Sequence, residues 1–275
     1  MANANKLPQG FAAAADPIPA QAIQTGADGL EAGEVSIPAG DREIPAYRAR
    51  PAHGGSWPVV LVVQEIFGVH EYIKDVCRRL GHAGYLAIAP DLYVRQGDPS
   101  KMADWNEIRI KVVLKVSDTQ VMSDLDAAVR FAETEGGDTG RLGITGFCWG
   151  GRIVWLYAAH SAQLKAGAAW YGKLNSPRDK LHPKMPVDVA GELKCPVLGL
   201  YGAKDESIPM ADVDTMREGA EASGSEIHVY ADAGHGFHAD YRPQYHLASA
   251  EDGWERMKEW FARHGSSVNG GLAIE

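Results

Sequence analysis

Apolar residues along this chain alternate between strand-like runs and helical stripes. The strongest run covers residues 58–63, is β-branched and apolar on both faces, and therefore predicts a central parallel strand. Residues 71–84 follow with apolar positions at helical spacing, and the alternation continues to a closing helix over residues 248–264. Alternating strands and helices predict an α/β protein with a mostly parallel sheet and helices on both faces.

Weaker signals complete the predicted order of elements. A hairpin over residues 34–50 is predicted at the sheet edge, whereas residues 1–33 have no periodicity and are interpreted as an extended or mobile arm. Further strands are predicted over residues 85–89, 141–145, 166–171, 196–201 and 226–230, and further helices over residues 123–134, 150–160 and 210–222. The predicted α/β unit therefore spans residues 34–266 and is followed by a tail over residues 267–275.

Composition narrows the possible functions. The chain has 275 residues, is 45% hydrophobic and carries a formal net charge of -9, which fits one large domain and argues against a nucleic-acid partner. No apolar run reaches the roughly 20 residues of a membrane helix, so a cytoplasmic address is expected. The three cysteines are widely separated and form no CxxC pair, so neither a disulfide framework nor a zinc site is predicted.

The stretch Gly-Phe-Cys-Trp-Gly at residues 146–150 lies between a predicted strand and a predicted helix. This is the pattern of a nucleophile elbow with the sulfur of Cys148 in place of a hydroxyl, and its glycines suit a turn where side chains would collide with backbone. Two alternatives remain: Cys148 as a small buried hydrophobe, or a dinucleotide-binding turn. The second fits poorly, because the strand over residues 166–171 ends without the acidic residue that would bind ribose.

Two further residues have the order expected for a catalytic triad. Asp205 follows the predicted strand over residues 196–201, and His235 follows the strand over residues 226–230. In α/β-hydrolases the chain order is nucleophile, acid and histidine, and all three lie on loops at one edge of the sheet. In isolation Asp205 could be a turn or capping residue and His235 a solvated loop histidine. Their joint occurrence after successive strands favours the triad.

With these motifs, residues 34–261 resemble the dienelactone hydrolase family, the carboxymethylenebutenolidase-like branch of the α/β-hydrolases. The matching stretches are Gln-Glu-Ile-Phe-Gly at 64–68, Pro-Asp-Leu-Tyr-Val-Arg at 90–95, Gly-Phe-Cys-Trp-Gly-Gly at 146–151, Tyr-Gly-Ala-Lys-Asp at 201–205 and Gly-His-Gly-Phe at 234–237. The resemblance implies an α/β-hydrolase fold, a triad of Cys148, Asp205 and His235, and contact of Glu65 with the resting thiol.

The resemblance also implies an oxyanion hole formed by the backbone N–H groups of Ile66 and Trp149, with Arg95 near a substrate carboxylate. Further substrate-binding positions are predicted from the same motifs and from the loop after His235: Tyr93, Phe67 and His238.

Family members that carry a second substrate-binding arginine place it shortly after the catalytic histidine, together with a serine. Here those positions are Gly236 and Ala239, with Arg242 nearby, so recognition of a carboxylate is weakened or rebuilt. His235, His238 and Asp240 lack an established metal-ligand spacing, so no metal is predicted.

The predicted function is therefore a cysteine-nucleophile hydrolase of lactones or carboxylic esters that forms an acyl-thioester on Cys148 and needs no cofactor. Its partner would be a small-molecule ester or lactone. The alternatives are a broad-specificity small-ester hydrolase and a non-catalytic small-molecule-binding α/β protein.

Overall fold

The fold is built on an eight-stranded sheet, seen in a computed structural model that describes residues 11–268. The strands are β1 (Leu30–Pro38), β2 (Glu43–Pro51), β3 (Trp57–Val63), β4 (Leu86–Pro90), β5 (Gly137–Phe147), β6 (Ala166–Trp170), β7 (Val197–Gly202) and β8 (Glu226–Tyr230). Their spatial order is β1-β2-β4-β3-β5-β6-β7-β8. The β1–β2 and β2–β4 pairs are antiparallel, and every later pair is parallel.

Helices connect the parallel strands and cover both faces of the sheet. They are α1 (Glu71–His82), α2 (Trp105–Lys111), α3 (Asp118–Thr134), α4 (Trp149–His160), α5 (Pro186–Val189), α6 (Met210–Ala220) and α7 (Leu247–Arg263). Successive residues of a strand point to opposite faces. On β5, Phe147 packs on Tyr72 of α1, whereas a Cβ at Gly146 would meet the backbone of α4. The predicted α/β-hydrolase fold is confirmed.

Strand β3 lies at the centre of the sheet between β4 and β5, and all seven of its residues are buried. A strand covered on both faces has no solvated side, which explains its unbroken apolar sequence. The prediction of a central parallel strand at this position is confirmed.

Two elements extend beyond their predicted bounds. Helix α3 begins at Asp118 rather than residue 123, because the Ser117 hydroxyl accepts a hydrogen bond from the Gln120 N–H at 3.2 Å and caps a polar first turn. Strand β5 begins at Gly137 rather than residue 141, since its polar first residues pair with the start of β3. The first residues of both elements are polar and show no hydrophobic periodicity, so the sequence pattern did not predict the true starts of α3 and β5.

The N-terminal segment lies against the body of the protein. Residues 11–26 contain two short 3₁₀ turns, Ala13–Ala15 and Pro19–Gln21, and Ala12 is fully buried. Strand β1 begins at Leu30, four residues before the predicted hairpin. The remainder of the predicted arm, residues 1–10, and most of the predicted tail, residues 269–275, lie outside the described residues.

Candidate active site

Cys148 stands in the turn that joins β5 to α4. Its backbone has φ 55° and ψ -113°, a strained conformation for a residue with a side chain. A Cβ at Gly146 would fall 2.6 Å from the carbonyl carbon of Gly150, and one at Gly150 would fall 2.7 Å from the backbone oxygen of Gln64. The predicted reason for both glycines is confirmed, since only glycine permits this close approach.

The sulfur of Cys148 begins a hydrogen-bonded chain of three side chains. His235 Nε2 lies 3.2 Å from Cys148 Sγ, and His235 Nδ1 lies 2.7 Å from Asp205 Oδ2. Asp205 follows β7 and His235 follows β8, so the carboxyl ends of neighbouring parallel strands bring them together. This is the nucleophile, base and acid arrangement that a triad requires.

Ser207 holds the carboxylate of Asp205 in place. Its hydroxyl donates to Asp205 Oδ1 at 2.6 Å, and its backbone N–H donates to the same oxygen at 2.9 Å. Asp205 Oδ2 is thereby left for His235. Sequence reasoning missed Ser207, although a Ser two residues after an Asp is a known signal for this local turn.

Charge keeps a proton on His235. Burial disfavours the charged imidazole, but a charged Cys148 sulfur and the Asp205 carboxylate outweigh it and raise the pKa of His235 to about 10. Burial also opposes ionisation of Asp205, yet its hydrogen bond and attraction to His235 lower the pKa of that carboxyl below its ordinary value. At neutral pH the site therefore favours a protonated His235 imidazole paired with the Asp205 carboxylate.

Glu65 is fully buried beside the site and is held by aromatic neighbours. Tyr241 donates its hydroxyl to Glu65 Oε2 at 2.7 Å, and His70 Nε2 lies 3.4 Å from the same oxygen. Burial raises the pKa of Glu65, but His70 and Arg242 outweigh it, so the pKa is lowered and the carboxylate is charged. Within residues 11–268, no hydrogen bond joins Glu65 to Cys148, and Glu65 Oε1 has no partner.

Arg95 does not reach the triad. Its guanidinium donates to Asp41 at 2.9 and 2.6 Å and to Asp124 at 2.7 and 3.0 Å. Two forked ion pairs occupy donors that a substrate carboxylate would need. The prediction that Arg95 binds substrate does not agree with this geometry, because the partner acids come from the hairpin loop and from α3.

His238 contacts aromatic side chains rather than the triad within the described residues. It is 2% exposed, its Nδ1 lies 2.6 Å from the Tyr72 hydroxyl, and its ring stacks on Phe147 at 5.1 Å. Burial and the charge of Arg79 lower its pKa well below the ordinary value, so the ring is neutral. The predicted substrate-binding role of His238 does not agree with this placement in an aromatic core.

Arg242, rather than Arg95, is the arginine whose charge interacts with Glu65 and Cys148. Its guanidinium lies 5.5 Å from the Phe67 ring, and it forms no ion pair with a residue of the described range 11–268. Burial disfavours its charge, but the charges on Glu65, Tyr241 and Cys148 raise its pKa. A Cβ at Gly236 would fall 3.2 Å from Arg242 Nη1, so the glycine leaves room for this side chain. The sequence marked Arg242 only as a nearby candidate.

Aromatic side chains form the wall around Cys148. Tyr93 packs on Trp149 with ring centroids 4.9 Å apart, and Tyr171 lies edge-on to His235 at 5.3 Å. Burial is the main cause that raises the phenol pKa values of Tyr93 and Tyr171 well above 10. The charge on Cys148 adds to the effect at Tyr93, and the charges on Glu65 and Cys148 add to it at Tyr171. Tyr93 contacts Trp149 and Phe67 contacts Arg242, and the substrate-binding role of both stays a prediction. Tyr171 is an addition that the sequence did not indicate.

Several buried polar atoms of this wall form no well-aligned hydrogen bond to any of residues 11–268. They are the hydroxyls of Tyr93 and Tyr171, which lie near Gln64 and Tyr72 respectively, together with Arg242 Nε, Glu65 Oε1 and both amide atoms of Gln64. The backbone N–H groups of Ile66 and Trp149, predicted to form an oxyanion hole, also donate to no residue in the hydrogen bonds found over residues 11–268. Buried polar groups without partners are costly, and their collection at one place is typical of a site that binds a polar ligand.

The described residues contain no group of three or more His, Cys, Asp or Glu side chains that could hold a metal ion. Among the helices of residues 11–268, none has the length and apolar character needed to cross a membrane.

Comparison with known proteins agrees with this geometry. The family model of the dienelactone hydrolases matches residues 44–265. A Methylorubrum extorquens protein provisionally named carboxymethylenebutenolidase is 59% identical over 266 residues, covering 95% of this chain and 91% of that protein. A Klebsiella pneumoniae crystal structure, provisionally described as a dienelactone hydrolase, is 57% identical with a TM-score of 0.83, covering 85% of this chain and 99% of that one.

A more distant Bradyrhizobium protein, provisionally named 2-oxo-3-(5-oxofuran-2-ylidene)propanoate lactonase, is 34% identical over 223 residues, covering 80% of this chain and 89% of that protein. The family match covers most of the chain, and the relatives are matched over nearly their whole length. The resemblance predicted from the motifs is confirmed. The chain belongs to the dienelactone hydrolase family and is a carboxylic ester hydrolase of the α/β-hydrolase fold.

Proposed function

We propose that the protein hydrolyses lactones or carboxylic esters by attack of the Cys148 thiolate on the acyl carbon, through a thioester on that sulfur. The observation that carries this proposal is the 3.2 Å hydrogen bond between His235 Nε2 and Cys148 Sγ, with Asp205 behind the imidazole. A cysteine becomes a strong nucleophile when a cationic neighbour stabilises its thiolate, and His235 supplies that charge.

The steps follow from the positions of these groups. The sulfur forms a bond to the acyl carbon, and collapse of the tetrahedral intermediate breaks the bond to the ester oxygen. His235 gives its Nε2 proton to that oxygen, which in a lactone remains attached to the acyl group. Water then attacks the thioester while His235 takes one of its protons, and the C–S bond breaks to regenerate the thiolate. The product leaves as a carboxylic acid that loses its remaining proton to solvent.

The backbone N–H groups of Ile66 and Trp149 are proposed to bind the oxygen of the tetrahedral intermediate. Trp149 begins α4, whose positive end faces the turn that carries Cys148. Neither N–H group has an acceptor among residues 11–268, which supports this role, because a donor aimed at the transition state must be free in the resting enzyme.

The substrate proposed is one that carries a carboxylate. The Arg242 guanidinium has no ion-pair partner within residues 11–268, and its charge interacts with those of Cys148 and Tyr171, whose hydroxyl forms no well-aligned hydrogen bond in that range. The Bradyrhizobium relative is named for a propanoate lactone, which is an acidic lactone. Charge-assisted bonds to arginine discriminate strongly between an anion and its neutral analogue.

Glu65 is proposed to balance Arg242 and to receive the proton of a resting thiol through its unpartnered Oε1. An anionic substrate that pairs with Arg242 would then release the carboxylate from that cation and shift the proton balance at Cys148.

The test is turnover and trapping with Cys148→Ala. The variant should stay folded and lose hydrolysis of an enol lactone by at least about a thousandfold, because the thiol supplies chemistry rather than packing. Rapid quenching of the wild-type protein should reveal by mass spectrometry an acyl adduct on Cys148. Retained turnover in the variant, or an adduct on another residue, would contradict the mechanism.

A second candidate is a broad-specificity esterase, which the aromatic wall of Phe67, Tyr93 and Trp149 favours because such surfaces bind neutral acyl groups with little selectivity. Comparing kcat/KM for acidic and neutral esters of the same acyl group separates the two candidates. A ratio near one supports the broad esterase.

A further inference from the structure

We propose that residues 11–26, called here the N-terminal strap, position Tyr241 and Arg242 and thereby set the preference of the enzyme for anionic substrates. This inference rests on the proposed function, in which Arg242 receives the substrate carboxylate. The strap is made of chain that precedes the sheet, and none of its residues belongs to the triad or to the wall around Cys148.

The strap bonds two successive carbonyl groups of the Arg242 loop. The Ile18 N–H donates to the Tyr241 carbonyl oxygen at 2.6 Å, and the Gln21 side-chain amide donates to the Arg242 carbonyl oxygen. Backbone bonds on both residues restrict the direction in which their side chains leave the loop. A side chain 221 positions away in sequence thus acts on the backbone of Arg242.

The start of the strap packs on the aromatic neighbours of Glu65. Phe11 stacks on Tyr241 with centroids 5.2 Å apart and an interplanar angle of 29°, and it meets His70 edge-on at 6.1 Å. Phe11 is 9% exposed, and Ala12 and Ala15 beside it are buried in the core. Because His70 and Tyr241 are the residues that hold Glu65 Oε2, the strap closes this cluster from outside.

The end of the strap is anchored to α1. The Thr25 N–H donates to Asp75 Oδ1 at 2.5 Å, and Arg78 Nε donates to the Thr25 carbonyl oxygen at 2.7 Å. Asp75 also accepts from Arg79, whose other end pairs with Asp240, the residue before Tyr241. The strap and the Arg242 loop are therefore tied to the same buried ion-pair network.

From the loop, the side chains of Tyr241 and Arg242 extend towards the active site. Tyr241 donates to Glu65, and Arg242 extends over Phe67 into the region where its charge and that of Cys148 interact. A small displacement of Arg242 would misplace a substrate carboxylate and leave the triad unchanged, because Asp205 and His235 lie on loops after β7 and β8. The strap therefore acts on specificity rather than on the chemical step.

The experiment uses the full chain with Gln21→Ala and Phe11→Ala, and Ile23→Ala as the matched control. Ile23 belongs to the strap, but its side chain is 43% exposed. Two substrates differ in one charge: phenyl hydrogen succinate and phenyl methyl succinate. We expect KM for the acid to rise about tenfold in Gln21→Ala and Phe11→Ala with kcat within about twofold, since binding rather than the transition state is disturbed. Both strap variants should hydrolyse the diester with wild-type kinetics, and Ile23→Ala should hydrolyse both substrates with wild-type kinetics.

Melting temperatures and the double variant Gln21→Ala with Arg242→Ala complete the test. The double variant should lose no more for the acid than Arg242→Ala alone, because both changes act on one interaction. Two outcomes would overturn the strap proposal alone. One is an equal loss of kcat/KM for the acid and the diester in the strap variants. The other is wild-type kinetics in both strap variants while Arg242→Ala loses kcat/KM for the acid. Absence of an acid-specific loss in Arg242→Ala would overturn both the strap proposal and the carboxylate-binding role of Arg242. Gln21 is a partly exposed polar residue, so its variant tests the proposal even where Phe11→Ala fails to fold.

Discussion

His235 Nε2 lies 3.2 Å from Cys148 Sγ, although 87 positions separate the two residues in sequence. The contact joins a residue in the β5–α4 turn to a residue in the loop after β8, on opposite sides of β6 and β7 in the sheet. Because all these strands are parallel, their carboxyl ends meet at one edge, and loops across several strands converge there.

Alkylation should select Cys148 among the three cysteines. Burial raises the pKa of Cys77 far above its ordinary value and that of Cys195 to about 12, whereas Cys148 is partly exposed and bonded to His235. Iodoacetamide at neutral pH should therefore label Cys148 first, because thiolate character and access set the rate. Peptide mass spectrometry after limited labelling measures this, and earlier labelling of Cys77 or Cys195 would count against the assignment.

Arg95→Ala should lower stability without changing substrate preference. Arg95 pairs with Asp124, whose side chain is 1% exposed, so its removal leaves a buried carboxylate without its cation. The expected loss is about 3 kcal/mol of unfolding free energy, in the range for breaking a buried ion pair. Denaturant unfolding measures the loss, and the ratio of kcat/KM for acidic and neutral esters should stay at its wild-type value. A selective loss for the acidic ester would restore Arg95 as a binding residue.

Tyr171→Phe should lower turnover while keeping or raising stability. The Tyr171 hydroxyl is fully buried and forms no well-aligned hydrogen bond within residues 11–268, although Tyr72 lies near it, and its backbone φ of 39° is strained. Removing an unsatisfied buried hydroxyl relieves a desolvation cost. The control is Tyr201→Phe, since the Tyr201 hydroxyl accepts from Trp155 Nε1 at 3.0 Å. The control should lose about 1 kcal/mol and keep wild-type kcat. Wild-type kcat in Tyr171→Phe would exclude a role for that hydroxyl.

The Cys148–His235 pair should make stability fall at alkaline pH. The pKa of His235 is raised to about 10 in the folded protein, so the folded state binds more protons than the unfolded state above the ordinary histidine pKa of about 6.5. The stabilisation is complete below about pH 6.5 and is lost as pH rises towards 10. Cys148→Ala removes the sulfur charge that holds this proton, so the variant should melt at a lower temperature than the wild type near pH 6.5. This difference in melting temperature should shrink as the pH rises from about 6.5 to about 10. A difference independent of pH would contradict the ion pair.

The sequence by itself determined the succession of strands and helices along the chain. It also determined the three residues now found in hydrogen-bonded contact, Cys148, Asp205 and His235. Strands such as β3 are buried on both faces, and this burial imposes an apolar run that is visible without coordinates. Cys148 was recognisable because the elbow is local: its glycines are required by contacts within the turn and with the adjacent strand. Asp205 and His235 were recognisable because each follows a strand, and parallel strands bring their carboxyl ends to the same edge of the sheet.

Only the tertiary structure decided which arginine lies at the site. Arg95 carries a matching motif, but Asp41 and Asp124 bind it, and both acids are distant in sequence. Arg242 carries no such motif, yet the space left by Gly236 admits its side chain, and its charge interacts with those of Glu65 and Cys148. Ion-pair partners are chosen by folded distance rather than by sequence spacing, so a local pattern can predict a charged side chain but cannot predict the partner that it will bind.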